Sequence, residues 1–329
     1  MLQHLAPPFE HGRHPLSERT LVTGALGCLG AWTLKALVEL GEEPVGYDLG
    51  TDDARLRLVL DDAERARVTL VEGDVTDIGA LGRALDEQEV TRVVHLAALQ
   101  VPFCKANPTR GAHVNVLGTV VVLEAVKARR DRIPGLAYAS STAVYNASDP
   151  SPAPESGGHS PSTLYGVYKL ANEGTARMHW QDDGVASIGI RPYVVYGPAR
   201  DQGLTSGPSL AMAAAARGEP YEIGYSGVVQ YDLAADVGMA FALAARAATE
   251  GAHVANFPGE AASMEEIVAA IEAAAPEAAG TITFTEQRLP FPERLESGLL
   301  EQLLGSVPRT PLAQGVERTI RHFRGAATT

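Results

Sequence analysis

The stretch Leu21-Val22-Thr23-Gly24-Ala25-Leu26-Gly27-Cys28-Leu29-Gly30 runs a short apolar strand into three glycines spaced three apart. Behind it Trp32, Ala36, Leu37 and Leu40 repeat at helical spacing. Each glycine has its own job in such a unit. One permits the sharp turn, one lets backbone approach a pyrophosphate, and one lets the helix close on the strand. The helix N-terminus supplies free N–H groups and a partial positive charge for phosphates. The spacing is G-x-x-G-x-x-G rather than G-x-G-x-x-G, so the turn is read together with its context. A second apolar stretch, Pro44-Val45-Gly46-Tyr47-Asp48, ends in an acid 24 residues beyond Gly24. A carboxylate there can accept hydrogen bonds from an adenosine ribose and repels a 2′-phosphate, which favours NAD over NADP.

Bulk properties narrow the classes. A chain of 329 residues buries a sizeable core, as one large domain or one domain with a smaller lobe. Its net charge of −13, with no basic run to offset it, argues against a nucleic-acid partner. Two cysteines, Cys28 and Cys104, make no disulfide framework and suit a reducing cytoplasm. The nine histidines show no metal-ligand spacing, so no metal site is expected. No apolar run has the length of a membrane span. Residues 1–18, with Pro7 and Pro8, read as a flexible arm.

Further strands are expected at Arg67–Val71, Val93–Ala98, Leu136–Ser141 and Ser187–Arg191, and helices at Ile78–Gln88, Pro108–Arg130 and Ser162–Asp182. This alternation predicts an α/β fold with a doubly wound parallel sheet, whose ligands sit beyond the carboxyl ends of the strands. Past Arg191, glycine and proline become frequent, strands shorten, and Ala-rich helices appear at Leu210–Arg217, Asp236–Arg246 and Ser263–Ala275. Residues 19–191 therefore read as the cofactor domain and 192–329 mainly as a small α/β substrate lobe over the sheet edge.

Tyr165 and Lys169 share one helical face. A phenol titrates near 10 and is a poor base unless a neighbouring cation stabilises its anion. Lys169 is placed for that task, and Ser141, at the end of strand five, for holding the oxygen that is oxidised or reduced. Cys28 reads as packing under the phosphates, although a helix start can lower a thiol pKa. Cys104 reads as a small buried residue near the same mouth.

The order of these pieces resembles the extended short-chain dehydrogenases/reductases, the NAD-dependent epimerase/dehydratase family. The resemblance rests on Thr23-Gly24-x-x-Gly27-x-x-Gly30, Asp48, Gly73-Asp74-Val75-Thr76-Asp77, His95-Leu96-Ala97-Ala98, Asn115 with Gly118-Thr119, Ser140-Ser141-Thr142-Ala143-Val144-Tyr145, Tyr165-x-x-x-Lys169 and Arg191-Pro192-Tyr193-Val194-Val195-Tyr196-Gly197-Pro198. It implies a Rossmann-like fold with NAD across the switch point. Gly24, Gly27 and Gly30, with Cys28 and Leu29, would face the pyrophosphate, Asp48 the adenosine ribose, and Asp74 and Val75 the adenine. Leu96, Ala97, Ala98, Asn115, Tyr193 and Val194 would complete the cofactor site. Tyr165 would be the acid/base, Lys169 its activator and ribose ligand, and Ser141 the ligand of the substrate oxygen. A homodimer through the helices near 108–130 and 162–182 is also implied.

Departures from the family pattern refine this. Family dehydratases carry Asp-Glu where this chain has Thr142-Ala143, which counts against dehydration. Nucleotide-sugar epimerases carry Asn after the Arg-Pro and an Arg before the lobe's Asp. Here those stretches hold Tyr193 and Val228-Val229-Gln230-Tyr231. A missing cation costs a diphosphate a contact of roughly 1.5–3 kcal/mol, unless Arg200 or Arg217 replaces it. Gln100, Thr142, Gln202, Thr205, Ser206 and Tyr231 are candidates to bind hydroxyls of a small sugar or sugar acid. The expected activity is NAD-dependent hydride abstraction from a secondary hydroxyl of such a substrate, by an epimerase or a dehydrogenase. A UDP-sugar 4-epimerase with retained NAD and a non-catalytic NAD-binding regulator are the alternatives.

Overall fold

The computed structural model describes residues 18–247 and 249–326. Residues 1–17 of the expected arm lie outside the described residues. Glu18, the last residue of that arm, pairs with Arg92.

The described residues form twelve strands. These are β1 (Thr20–Thr23), β2 (Val45–Asp48), β3 (Thr69–Glu72), β4 (Arg92–His95), β5 (Gly135–Ala139), β6 (Ala186–Arg191), β7 (Val194–Tyr196), β8 (Tyr221–Ile223), β9 (Val228–Leu233), β10 (Ala252–Asn256), β11 (Glu260–Ser263) and β12 (Ile282–Phe284). Seven build one sheet in the order β10-β6-β5-β4-β1-β2-β3, with every pairing parallel. The order reverses between β1 and β4, and that reversal opens the crevice at the strands' carboxyl ends.

Alternation along each strand fills both faces of the sheet. Val22, Val94, Ala137 and Ile188 point to the face covered by helices Cys28–Glu39 and Ala234–Arg246. Their neighbours Leu21, Val93, Leu136 and Tyr138 point to the face covered by Ile78–Glu87, Gly118–Lys127 and Leu164–Asp183. Each fully buried aliphatic side chain is worth about 1.5–3 kcal/mol, so the continuous apolar strands hold the helical layers in place. A third cluster, with Met212, Tyr225, Ile267 and Val316, is the core of the lobe around the β11-β9-β7 sheet.

Residues 192–329 do not all stay in that lobe. Helix Ala234–Arg246 packs on the large sheet and β10 adds its seventh strand beside β6. The expected helix Pro108–Arg130 is also interrupted: Pro108–Ala112, a π-helical turn over His113–Leu117, and Gly118–Lys127 follow one another.

A buried relay fixes the loop after β4. Thr119 donates its hydroxyl to the Asn115 carbonyl at 2.8 Å, so it accepts from His95 Nε2 at 3.0 Å. His95 Nδ1 then accepts from the Thr23 hydroxyl at 2.8 Å, whose oxygen takes the N–H groups of Leu96 and Ala97. Burial pushes His95 down to about 3, so the folded protein holds it neutral. Below the ordinary imidazole value near 6.5 the unfolded chain binds a proton that the folded chain does not. Stability is therefore expected to fall as pH drops from about 6.5 toward 3, and the His95→Gln variant to lose that part of the slope. Unfolding midpoints in urea across this range check it; parallel profiles for the two proteins would contradict it.

Candidate active site

The carboxyl ends of the strands and the lobe enclose a cleft of about 680 Å³. At its floor the glycine turn is set by two contacts. Gly24 has φ +70°, and a Cβ there would stand 2.7 Å from the backbone nitrogen of Ala97. A Cβ on Gly30 would stand 2.1 Å from the Gly24 carbonyl oxygen. Larger residues at either position would push the helix off the turn. Gly27 starts helix Cys28–Glu39 with no side-chain cap, which leaves the first N–H groups aimed at the cleft. Asp48 is oriented by the N–H of Leu26, donated to Oδ2 at 2.9 Å. Asp74 caps its own turn through the N–H and hydroxyl of Thr76, both at 2.8 Å, and the Thr76 N–H is the main cause holding its carboxyl below the usual range.

The uncapped helix start, the glycine cradle and the Asp48 carboxylate fit a dinucleotide without a 2′-phosphate. The expected cofactor residues Gly24, Gly27, Cys28, Leu29, Gly30, Asp48, Asp74, Val75, Leu96, Ala97, Ala98 and Tyr193 all line this cleft. Asn115 does not. It accepts the Leu99 N–H at 2.7 Å and donates to the Leu99 carbonyl at 2.9 Å, and so shapes the wall from behind. Val194 does not line the cleft either: it is fully buried in the lobe core, while Tyr193, part of the same core, and Val195 reach the cleft wall. Burial pushes the Cys28 thiol up to about 12 despite its place at the helix start.

At the other end of the cleft stand Ser141, Tyr165 and Lys169. Thr163 caps helix Leu164–Asp183 by accepting the Gly166 N–H at 3.0 Å. A Cβ on Gly166 would stand 1.9 Å from the Ala143 carbonyl oxygen. This glycine thus lets the helix start press against the turn that carries Ser141. Burial pushes the Tyr165 phenol up to about 12, opposed by its hydrogen bond with Ser141 and by the charge of Arg200. Lys169 lies 5.6 Å from the centroid of the Tyr165 ring and donates to the Ala139 carbonyl at 2.6 Å. Burial lowers it to about 8, so at neutral pH it is charged and Tyr165 is a phenol. The cation acting against burial at Tyr165 is Arg200, which sequence reasoning placed only as a substitute diphosphate grip.

Of the expected substrate residues, Gln100, Thr142, Gln202 and Thr205 line the cleft. The Thr142 hydroxyl is already committed to the Pro192 carbonyl at 2.8 Å. Ser206 and Tyr231 fall outside. Ser206 donates to the Gly203 carbonyl at 3.0 Å. Tyr231 pairs in register with Val194 and shares its inward face, so it packs in the lobe core. Cys104 is fully buried and donates to the Leu99 carbonyl.

Two features had no clear sequence signal. Glu173, one turn beyond Lys169, forms a buried bidentate pair with Arg191, both bonds at 2.7 Å, and accepts from the Ser140 hydroxyl. Arg55 and Asp201 pair at 2.9 Å across the mouth, joining the segment after β2 to the loop after β7.

A seven-stranded parallel sheet with a Ser-Tyr-Lys constellation at its nucleotide crevice defines a Rossmann-type dinucleotide enzyme fold. The model of the NAD dependent epimerase/dehydratase family matches residues 20–257, and the chain belongs to that family. UDP-glucose 4-epimerase of Mycolicibacterium smegmatis is 30% identical over 314 residues, covering 93% of this chain and 98% of that one. UDP-glucuronate 4-epimerase 3 of Arabidopsis thaliana is 34% identical over 187 residues, which span 54% of this chain and only 42% of that enzyme. The Thermus thermophilus UDP-glucose 4-epimerase, solved in complex with NAD, superposes with a TM-score of 0.77 at 27% identity, over 94% and 99% of the two chains.

Removing the Glu173 carboxylate leaves Arg191 charged and buried without its partner. Glu173→Ala is expected to cost about 3–5 kcal/mol of stability in urea unfolding; a loss below about 1 kcal/mol would contradict the arrangement.

Proposed function

We propose that the protein is an NAD-dependent sugar epimerase or dehydrogenase that abstracts a hydride from a secondary hydroxyl of a sugar or sugar-like substrate. One observation carries the reading: Ser141, Tyr165 and Lys169 stand together at one end of a cleft whose other end is the glycine turn and Asp48. Gly24, Gly27, Gly30 and the start of helix Cys28–Glu39 would hold the pyrophosphate, Asp48 the adenosine ribose, and Asp74 and Val75 the adenine. Once bound, the nicotinamide supplies the hydride acceptor.

The chain's own work is proton handling and orientation. Ser141 holds the substrate oxygen beside the Tyr165 hydroxyl. As the carbinol is oxidised its hydroxyl proton passes to Tyr165 Oη, which must first be the phenolate, and the proton returns on reduction. Burial holds that phenol protonated, the Ser141 hydrogen bond and the Arg200 charge act against it, and Lys169, 5.6 Å from the ring centroid, is the cation we assign to steady the phenolate once it forms. The reading of a UDP-sugar 4-epimerase draws on the relatives that act on UDP-sugars and on Arg200 as a cation in the cleft. The paired Arg217, held by Glu219, stands outside that cleft.

Tyr165→Phe is expected to retain NAD binding and to lose at least about 10²-fold of turnover, the typical contribution of a positioned acid/base. Absorbance at 340 nm and product analysis with sugars, sugar acids and UDP-sugars read this out. Full activity in the variant would sink the assignment and favour a non-catalytic role.

A homodimer belongs to the same proposal. Leu164, Val167 and Met178 are 43%, 45% and 41% exposed along helix Leu164–Asp183, with Leu117 at 42% nearby. This apolar stripe suits burial against a second copy. Light scattering is expected to give twice the chain mass for the wild type and the single-chain mass for Val167→Glu/Met178→Glu; a monomeric wild type would contradict it. Unpaired Cys28 and Cys104 suit a cytoplasmic location. Among the described residues, no helix is long and apolar enough to cross a membrane.

A further inference from the structure

Arg200 stands out among the cations of the cleft. Arg55 is held by Asp201, and Arg110 lies at the far end, where its charge acts on Asp74. Arg200 has no carboxylate partner among the described residues. Its Nη2 donates to the Thr205 hydroxyl at 3.1 Å, and its Nε is buried without a partner. Gln100 Oε1 is buried without a partner as well. A Cβ on Gly203 would stand 2.2 Å from Gln100 Oε1 and 3.2 Å from Arg200 Nη2, so both side chains crowd the same short piece of loop backbone. A guanidinium left unpaired in a partly closed cleft is costly unless an anion arrives to meet it.

Two anions compete for it. The dinucleotide pyrophosphate is already provided for by the uncapped helix start behind Gly27, although the Arg200 charge reaches Cys28 there as well as Tyr165. The partners of Arg200 belong instead to the loops after β4 and β7, beside the Ser141–Tyr165 end. We infer that Arg200, with Gln100 and Thr205, forms a subsite for an oxyanion carried on the sugar itself, a carboxylate or a phosphate, close to the carbon that reacts. This rests on the sugar-oxidoreductase reading above and deepens it: the substrate is an acidic sugar, and no nucleotide is needed to bind it. Gln100 and Thr205 then read neighbouring hydroxyls, and the charge that holds the substrate also favours ionised Tyr165.

Calorimetric titration of the NAD-loaded protein with a hexuronate, a hexose phosphate, the neutral hexose and UDP-galactose tests the subsite by binding alone. One or both acidic sugars are expected to bind roughly 10- to 100-fold more tightly than the neutral one, the range for a charge-assisted contact. Which acid binds tells the carboxylate from the phosphate. Arg200→Gln is expected to lose that preference and Arg200→Lys to recover part of it, while NAD affinity and neutral-sugar affinity stay within about two-fold, too small a change for a lost charged contact. Arg217→Gln serves as the control and should change nothing. Equal affinity for acidic and neutral sugars overturns the proposal. So does an Arg200→Gln defect confined to NAD, which would assign the guanidinium to the cofactor phosphates, or one confined to UDP-galactose, which would assign it to a nucleotide diphosphate. Absorbance at 340 nm in the same samples keeps the two readings apart. Acid-selective binding without hydride chemistry sinks the enzyme assignment and keeps the subsite, whereas turnover without charge preference does the reverse.

Discussion

The buried pair of Glu173 and Arg191 is the interaction on which the site's geometry depends. Glu173 sits on the helix that carries Tyr165 and Lys169; Arg191 ends β6, and Ser140, which also donates to Glu173, follows β5. Arg191 further donates to the Tyr145 hydroxyl at 2.8 Å and to the Glu155 carbonyl at 2.9 Å. A helix, two strand ends and the segment leading into the lobe are thus tied at one point. Such a pair adds little net stability over an apolar core, because desolvation offsets its attraction. Its value here is registry: it fixes how the catalytic helix sits against the turn holding Ser141, to within the reach of a hydrogen bond.

Around that tie the cleft divides its work by charge. At the glycine turn, uncapped backbone N–H groups and one oriented carboxylate present a surface that fits a dinucleotide. At the opposite end, burial raises the Tyr165 phenol and lowers the Lys169 ammonium, and Arg200 counters the first of these effects. The loop after β7 contributes the Arg200 charge to the electrostatics of that end.

Much of this was legible in the sequence. The apolar strands, the glycine turn, Asp48 and the Tyr165–Lys169 spacing are local patterns, and local patterns survive folding. The apolar centres of β1 (Leu21-Val22) and β4 (Val93-Val94) mark strands buried on both faces. β10 carries no clear signal as a member of the large sheet, because Ala252-His253-Val254-Ala255-Asn256 has a single β-branched residue and falls among the lobe's strands in sequence. Val194 and Tyr231 read as site residues from the sequence, but they pair across β7 and β9 and are buried in the lobe core. Deciding which face of β7 meets the cleft requires knowing its partner β9, a long-range fact. The Glu173–Arg191 pair joins residues 18 apart in sequence across two elements, and no spacing rule announces it.

The claim that this cleft carries out hydride chemistry on a sugar carbinol is tested most directly with isotope. The NAD-loaded protein would be mixed with acidic sugars deuterated at their carbinol carbons, quenched within a turnover, and the released dinucleotide weighed by mass spectrometry. The account predicts deuterium in the dinucleotide from the wild type. An epimerase would afterwards return that deuterium to the same carbon of the product, whereas conversion of the sugar with its carbinol deuterium lost to water would contradict the account.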